Sequence, residues 1–216
     1  MSKYKTIIWD LDGTLLDTLD DLMDSVNAAL AEFNLPLRTR TEIRSFVGNG
    51  VLRLVELSVP DGKQHPQFEE IFAFFNKHYA KNSQNKTRPY VGIEKVLKAL
   101  KDKGYKMAIA TNKVDYAAQE LTELYFKDTI DVTIGDSEEI RRKPYPDKVF
   151  EAIRVLDAEK ETSVYIGDSD VDIATAKNAR IDCICVSWGF RDKEDLIANG
   201  AEKIADTMDE LLGILV

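Results

Sequence analysis

A chain of 216 residues has room for one large domain, or for a core that carries a sizeable insertion. With 44% hydrophobic and 31% charged residues it reads as soluble and globular. Its net charge of -9 argues against sequence-blind nucleic-acid binding, which needs a surplus of Lys and Arg, but leaves room for a small anionic substrate that senses only its own pocket.

No segment approaches the apolar length that spans a bilayer, so no membrane partner is expected. The first residues, Met1-Ser2-Lys3-Tyr4-Lys5, lead straight into a strand and do not read as a signal peptide. Cys183 and Cys185 alternate within "IDCICVS", a half-buried strand pattern, and one residue apart they are not expected to bridge each other; a reducing cytoplasm is the expected location.

In chain order, an apolar strand through Ile7, Ile8 and Trp9 ends in "DLDGTL". Helical spacing follows on Leu19, Leu22, Met23, Val26, Leu30 and Phe33 and stops before Pro36. Further helical patterns run through residues 41–57 and 68–80, separated by the loop "PDGKQHP". His65 and His78 in this stretch lack a second ligand at metal spacing and read as solvated surface residues. "KNSQNKTRP" at 81–89 reads as a polar linker.

From residue 90 strands and helices alternate. The spacing predicts a helix over 92–103 with Gly104 as its C-cap, a strand over 105–111, a helix to about 126 and a strand over 130–135. Pro144 and Pro146 precede a helix on Val149, Phe150, Ile153 and Leu156. A strand at 163–167, a helix at 170–179, a strand at 181–187 and a short closing strand and helix complete the chain. The expectation is an α/β fold: a Rossmann-like parallel sheet core, residues 1–16 and 84–216, with an inserted all-helical cap domain, residues 17–83.

Ligands of open α/β sheets bind beyond the carboxyl ends of the strands. Those ends carry Asp10 and Asp12, then Thr111, Asn112 and Lys113, then Asp168, Ser169, Asp170 and Asp172. Asp10 and Asp12 share one side while the backbone stays extended, and two such carboxylates repel unless a cation sits between them. Oxygen-only ligands suit Mg²⁺, with Asp168 as a third donor and Gly13 permitting the turn. Asp17, Asp20, Asp21 and Asp24 read instead as acids at the start of a helix. A metal, a carboxylate, a hydroxyl, an amide and a cation are the equipment of phosphoryl transfer. The sequence offers Arg141, Arg142 and Lys143 as that cation without choosing among them.

"DLDGTL" at 10–15, "TN" at 111–112, "KP" at 143–144 and "GDSDVD" at 167–172 resemble the four motifs of the haloacid dehalogenase-like hydrolases, in order and across essentially the whole chain. The resemblance implies Asp10 as a nucleophile that forms an aspartyl-phosphate. It implies Asp12 as general acid/base with its backbone carbonyl on Mg²⁺, and Thr111, Asn112 and Lys143 as phosphate-binding residues. Asp168 would ligate the metal together with Asp10, and Asp172 and Ser169 would support that shell.

"RSFVGNG", "KPYPDKV" and "CVSWGFRD" resemble phosphoglycolate phosphatases, which implies hydrolysis of a small phosphorylated metabolite such as 2-phosphoglycolate. The related phosphomutases and phosphonate hydrolases carry a basic residue three places after a cap-loop glycine, where this chain has Val51 after Gly48. A sugar-phosphate mutase is therefore the second reading, and a non-catalytic interaction protein on the same fold the third. In the cap, Arg44, Gly48 and Asn49 are the expected substrate contacts. Arg180 stands where the family has a helix-ending glycine.

Overall fold

A computed structural model describes residues 3–216. Six parallel strands form one sheet in the order β5-β4-β1-β6-β7-β8: β1 (Thr6–Trp9), β4 (Lys106–Val114), β5 (Val132–Asp136), β6 (Ser163–Gly167), β7 (Asp182–Val186) and β8 (Ile204–Ala205). Numbered along the chain, these six strands follow the doubly wound order 3-2-1-4-5-6, whose direction reverses between β1 and β6. The two-residue strands β2 (Leu16–Asp17) and β3 (Arg88–Pro89) lie outside this sheet.

Burial follows from that order. β1 is central and covered on both faces, so all four of its residues are buried and its sequence shows no polar alternation. Ile7 and Trp9 enter a core with Ile93, Val96, Leu97 and Leu100 of α5 (Ile93–Asp102) and with Leu121 of α6 (Asp115–Phe126). Ile8 enters the opposite core with Val149 and Ala152 of α7 (Asp147–Val155) and Ala176 of α8 (Asp170–Ala179). Helices α9 (Lys193–Ala198) and α10 (Met208–Leu215) close the chain. Among the described residues no helix is long and apolar enough to cross a membrane.

The chain divides into two compact units, 1–16 with 89–216, and 17–88. The second is helical, built from α1 (Leu19–Glu32), α2 (Arg40–Phe46), α3 (Val51–Ser58) and α4 (Phe68–Asn82). The pattern at 41–57 is not one helix: Gly48 and Gly50 take φ values of 123° and 79° between α2 and α3. Nor is Asp21 an ordinary first-turn acid. It is buried, and its carboxylate accepts the Lys86 amide at 3.0 Å and the Thr87 amide and hydroxyl at 2.8 Å each. That grip ties residues 86 and 87 to α1, so the polar stretch after α4 is bound structure. His78 is half-buried with Nδ1 3.1 Å from Ser25 Oγ, and His65 Nδ1 accepts the Gln67 amide at 3.2 Å. Neither is a freely solvated residue.

Arg180 ends α8 in the left-handed conformation, φ 56° and ψ 48°, with an exposed side chain. An L-residue with a Cβ is strained there by about 1–2 kcal/mol, while glycine gives back roughly 0.5–1 kcal/mol through unfolded-state entropy. Arg180→Gly is therefore expected to stabilise the protein by about 0.5–1 kcal/mol, a rise of roughly 2 °C in Tm measured by calorimetry. A lower Tm would show that the Arg180 side chain contributes more than the strain it imposes.

Candidate active site

The end of β1 and the end of β6 are neighbours, and both finish on an aspartate. The Asp10 amide still pairs with the Ile166 carbonyl at 2.8 Å, after which the chain turns sharply. The Leu11 carbonyl accepts the amides of both Leu15 and Leu16 at 3.0 Å, and Gly13 sits at φ 86°. A Cβ on Gly13 would lie 2.3 Å from Asp168 Oδ2, so only glycine lets this turn pass against the β6 tip. Beyond β6, Ser169 caps α8 in a capping box with Asp172.

Three buried carboxylates meet here. Asp10, Asp168 and Asp172 each place an oxygen within 4.8 Å of the others. Asp172 is fully engaged: Oδ1 accepts Lys143 Nζ at 2.8 Å, and Oδ2 accepts the Ser169 hydroxyl and the amides of Asp168 and Ser169. Asp168 accepts the Thr14 hydroxyl at 2.9 Å on Oδ1 and the Phe190 amide at 2.7 Å on Oδ2. Asp10 Oδ1 takes the Leu11 amide at 2.7 Å and Lys143 Nζ at 2.8 Å. Its Oδ2 carries no hydrogen bond among the described residues.

Lys143 is the cation of this cluster. Its ammonium spends three donors on Asp10, Asp172 and the Tyr165 hydroxyl, and Tyr165 in turn donates to the Ala110 carbonyl at 2.8 Å. Arg141 and Arg142 are exposed and committed elsewhere, to Asp147 at 2.8 Å and to Asp136 at 2.6 Å. The three-way choice left open by the sequence is thus decided by burial.

The electrostatics follow. Burial opposes the charge on Lys143, yet the Asp10 and Asp172 carboxylates outweigh it and raise the pKa. Burial pushes Asp10 up to about 6 against the pull of Lys143, and pushes Asp168 up to about 8 with help from Asp172 and Asp10. Such a site is short of positive charge. A divalent cation would supply it, and the donor set of buried carboxylate oxygens fits a hard metal.

Asp12 does not share this point with Asp10. The extended backbone ends at Trp9, so the two-residue alternation no longer applies, and the Asp12 carboxylate turns to Lys113 Nζ at 2.9 Å. The Asn112 side chain is engaged with the main chain of Lys143. Its amide nitrogen donates to the Lys143 carbonyl at 3.1 Å, and its oxygen accepts the Lys143 amide at 2.8 Å. It braces the loop that carries Lys143. Thr111 is buried, and its hydroxyl accepts the Lys113 amide at 3.2 Å. Arg44, half-buried at the end of α2, and the glycine turn with exposed Asn49 belong to the helical unit.

Two residues of this region, Tyr165 and Lys148, escaped the sequence reading, and Lys113 was given no role there. Lys113 pairs with Asp12, Tyr165 holds Lys143, and Lys148 is fully buried beneath Thr111 and Asn112. Lys113 was in view at the strand tip, and its part-buried pair with Asp12 links residues 101 positions apart. Lys148 lies on a helix whose apolar pattern gave no cue that it points inward.

A profile of haloacid dehalogenase-like hydrolases matches residues 7–186. The phosphoglycolate phosphatase of Mesorhizobium japonicum is 33% identical over 87% of this chain and 84% of its own length. That of Nitrosococcus oceani is 29% identical over 100% and 98% respectively. A crystal structure from Lactobacillus delbrueckii subsp. bulgaricus, provisionally described as a phosphoglycolate phosphatase, is 36% identical with a TM-score of 0.94, covering 100% of this chain and 99% of that one.

The raised carboxyl pKa values have a testable consequence. A carboxyl held above its usual 3.8 keeps its proton longer when folded, so the metal-free protein loses stability as pH rises from about 4 to about 8. A metal ion must displace those protons at pH 6 but few of them at pH 8. The Tm gain from a fixed Mg²⁺ concentration should accordingly be larger at pH 8 than at pH 6, as read by thermal denaturation. Equal gains, or none, would remove the metal from this cluster.

Proposed function

The chain belongs to the haloacid dehalogenase-like hydrolases and is a phosphoric monoester hydrolase; from that premise we propose that it hydrolyses a small phosphate monoester, 2-phosphoglycolate, with Mg²⁺ and through an aspartyl-phosphate on Asp10. The observation that carries this reading is the pairing of a buried Asp10 with Lys143, which leaves Asp10 Oδ2 uncommitted beside two further carboxylates.

The proposed roles follow from the contacts. Asp10 Oδ2 attacks phosphorus in line with the leaving oxygen, while Lys143 and the Leu11 amide hold Oδ1 and orient the carboxylate. Asp10, the Asp12 carbonyl and Asp168 would hold Mg²⁺, which neutralises charge so that a carboxylate and a phosphate can approach. Asp172 and Ser169 keep Lys143 and Asp168 in place. The Thr111 hydroxyl and the Lys143 ammonium orient the phosphoryl oxygens. All three Lys143 donors are in use, so a phosphoryl oxygen takes the place of the Tyr165 hydroxyl, the uncharged member of the three. Asp12, released from Lys113, gives a proton to the leaving oxygen and takes one from the water that hydrolyses the acyl-phosphate. The role proposed for the helical unit is that of a cap that excludes bulk water, with Arg44, Gly48 and Asn49 as its substrate contacts. The substrate assignment draws its support from the phosphoglycolate phosphatases to which the chain is similar.

Three measurements address this. Asp10→Asn should abolish turnover in a folded protein, because an amide is isosteric but a poor nucleophile. Asp12→Asn should still form the phosphoenzyme from a substrate with a good leaving group, and should be slow in the water step. In a panel of phosphate monoesters assayed with Mg²⁺, 2-phosphoglycolate should lead in kcat/KM. A hexose phosphate or nucleotide favoured by about tenfold, roughly 1.4 kcal/mol in transition-state binding, would replace the substrate assignment and leave the phosphatase chemistry standing. Normal turnover by Asp10→Asn would end the mechanism.

A further inference from the structure

Lys148 occupies a costly position for an ammonium group. Its side chain is fully buried in the first turn of α7, at the helix end whose dipole disfavours a cation. Methionine or leucine would fill the volume without that cost. What the ammonium does there is visible in its contacts. Three oxygens surround Nζ: the Thr111 carbonyl at 2.7 Å, Asp136 Oδ1 at 3.3 Å and Asn112 Oδ1 at 3.4 Å. An ammonium has three N–H donors, one for each.

Those acceptors stand on two strand tips, β4 and β5, and α7 carries the donor. One of them leads directly to the catalytic cation. Asn112 is bonded twice to the main chain of Lys143, so a single oxygen atom, Asn112 Oδ1, receives both the Lys143 amide and Lys148 Nζ. Through its other bond Lys148 fixes the backbone of Thr111 itself. Thr111 and Lys143 come from separate strand connections, and nothing in their local sequence sets the distance between them.

We propose that Lys148 is a positioning residue that fixes the Thr111 hydroxyl relative to the Lys143 ammonium, so that both meet one phosphoryl group in the geometry of in-line attack. The proposal rests on the reading of Thr111 and Lys143 as the phosphoryl-holding pair. A misplacement of about 1 Å between such groups costs on the order of a hundredfold in rate, and a brace that stops it is visible in kinetics as well as in stability.

The charges facing Nζ define its titration. They are Asp136 at the end of β5, which is shared with Arg142 of the following loop, and, farther off, Lys143 and Asp10 at the tip of β1. Burial draws the Lys148 pKa down to about 8 against the opposing pull of Asp136. Below that pH all three oxygens have a donor. Above it one donor and the charge are lost, and the brace loosens. Replacement by methionine leaves no stranded carboxylate, because Asp136 keeps Arg142 at 2.6 Å.

The test compares the unmodified protein with Lys148→Met and Lys148→Arg, using p-nitrophenyl phosphate with Mg²⁺, inorganic phosphate as inhibitor, and pH values from 6 to 9.5. At pH 7 Lys148→Met should lower kcat/KM and weaken inhibition by inorganic phosphate by about tenfold each. The unmodified enzyme should lose kcat/KM with a midpoint near pH 8. That loss should be absent in Lys148→Met and moved upward in Lys148→Arg, which should recover most of the activity at pH 7. Unchanged kinetics and phosphate inhibition in Lys148→Met, whatever its Tm, would overturn the proposal. If Lys148→Met does not fold, an alkaline midpoint in Lys148→Arg identical to that of the unmodified protein overturns it equally. Absence of turnover in the unmodified protein is a distinct result: it removes the phosphatase reading, and this proposal with it.

Discussion

A single ammonium group organises the centre of this molecule. Lys143 is inserted between Asp10 and Asp172 at 2.8 Å from each, in a place where none of the three could be charged alone. Remove that cation and the carboxylates at the tips of β1 and β6 would have to take up protons or move apart. Much of what surrounds it exists to hold it there. The Asn112 amide grips its backbone on both sides, the Tyr165 hydroxyl takes its third donor, and the capping box of α8 fixes Asp172.

Sheet topology explains why the cluster forms where it does. In the 3-2-1-4-5-6 order the connections from β1 and from β6 leave in opposite directions, which opens a crevice between their carboxyl ends. Backbone amides and hydroxyls in the turns on either side satisfy the carboxylates. The close approach of those turns requires bare glycine at position 13, since a Cβ there would meet Asp168 at 2.3 Å. The same crowding excludes a side chain at Gly167, where a Cβ would lie 2.3 Å from Asp172 Cγ. The glycines of "DGT" and "IGD" are thus conditions for bringing charges together, beyond their part in making turns.

Much of this was legible beforehand for reasons that are local. Strand and helix alternation from residue 90 is a periodicity, and periodicity depends on which face of each element is buried. Three of the strands end in polar groups, and the rule for open α/β sheets turns those ends into a site. The misreadings are also instructive. The two-residue alternation that placed Asp10 and Asp12 together holds only while the chain is extended, and the chain turns after Asp10. Asp21 looked like any first-turn acid because its partners, Lys86 and Thr87, are more than sixty positions away.

By itself, then, the sequence determined the element types, their order and the set of residues available to the chemistry, since each depends on neighbours within a few positions along the chain. It also carried the buried character of the first strand, because an unbroken apolar run needs cover on both faces. Only the tertiary structure decided which of Arg141, Arg142 and Lys143 enters the carboxylate cluster, what Asp12 pairs with, and that Lys148 is buried. Those outcomes are set by desolvation and by partners brought in from other strands. A cation's position in the sequence carries no record of the charges it will face once water is excluded.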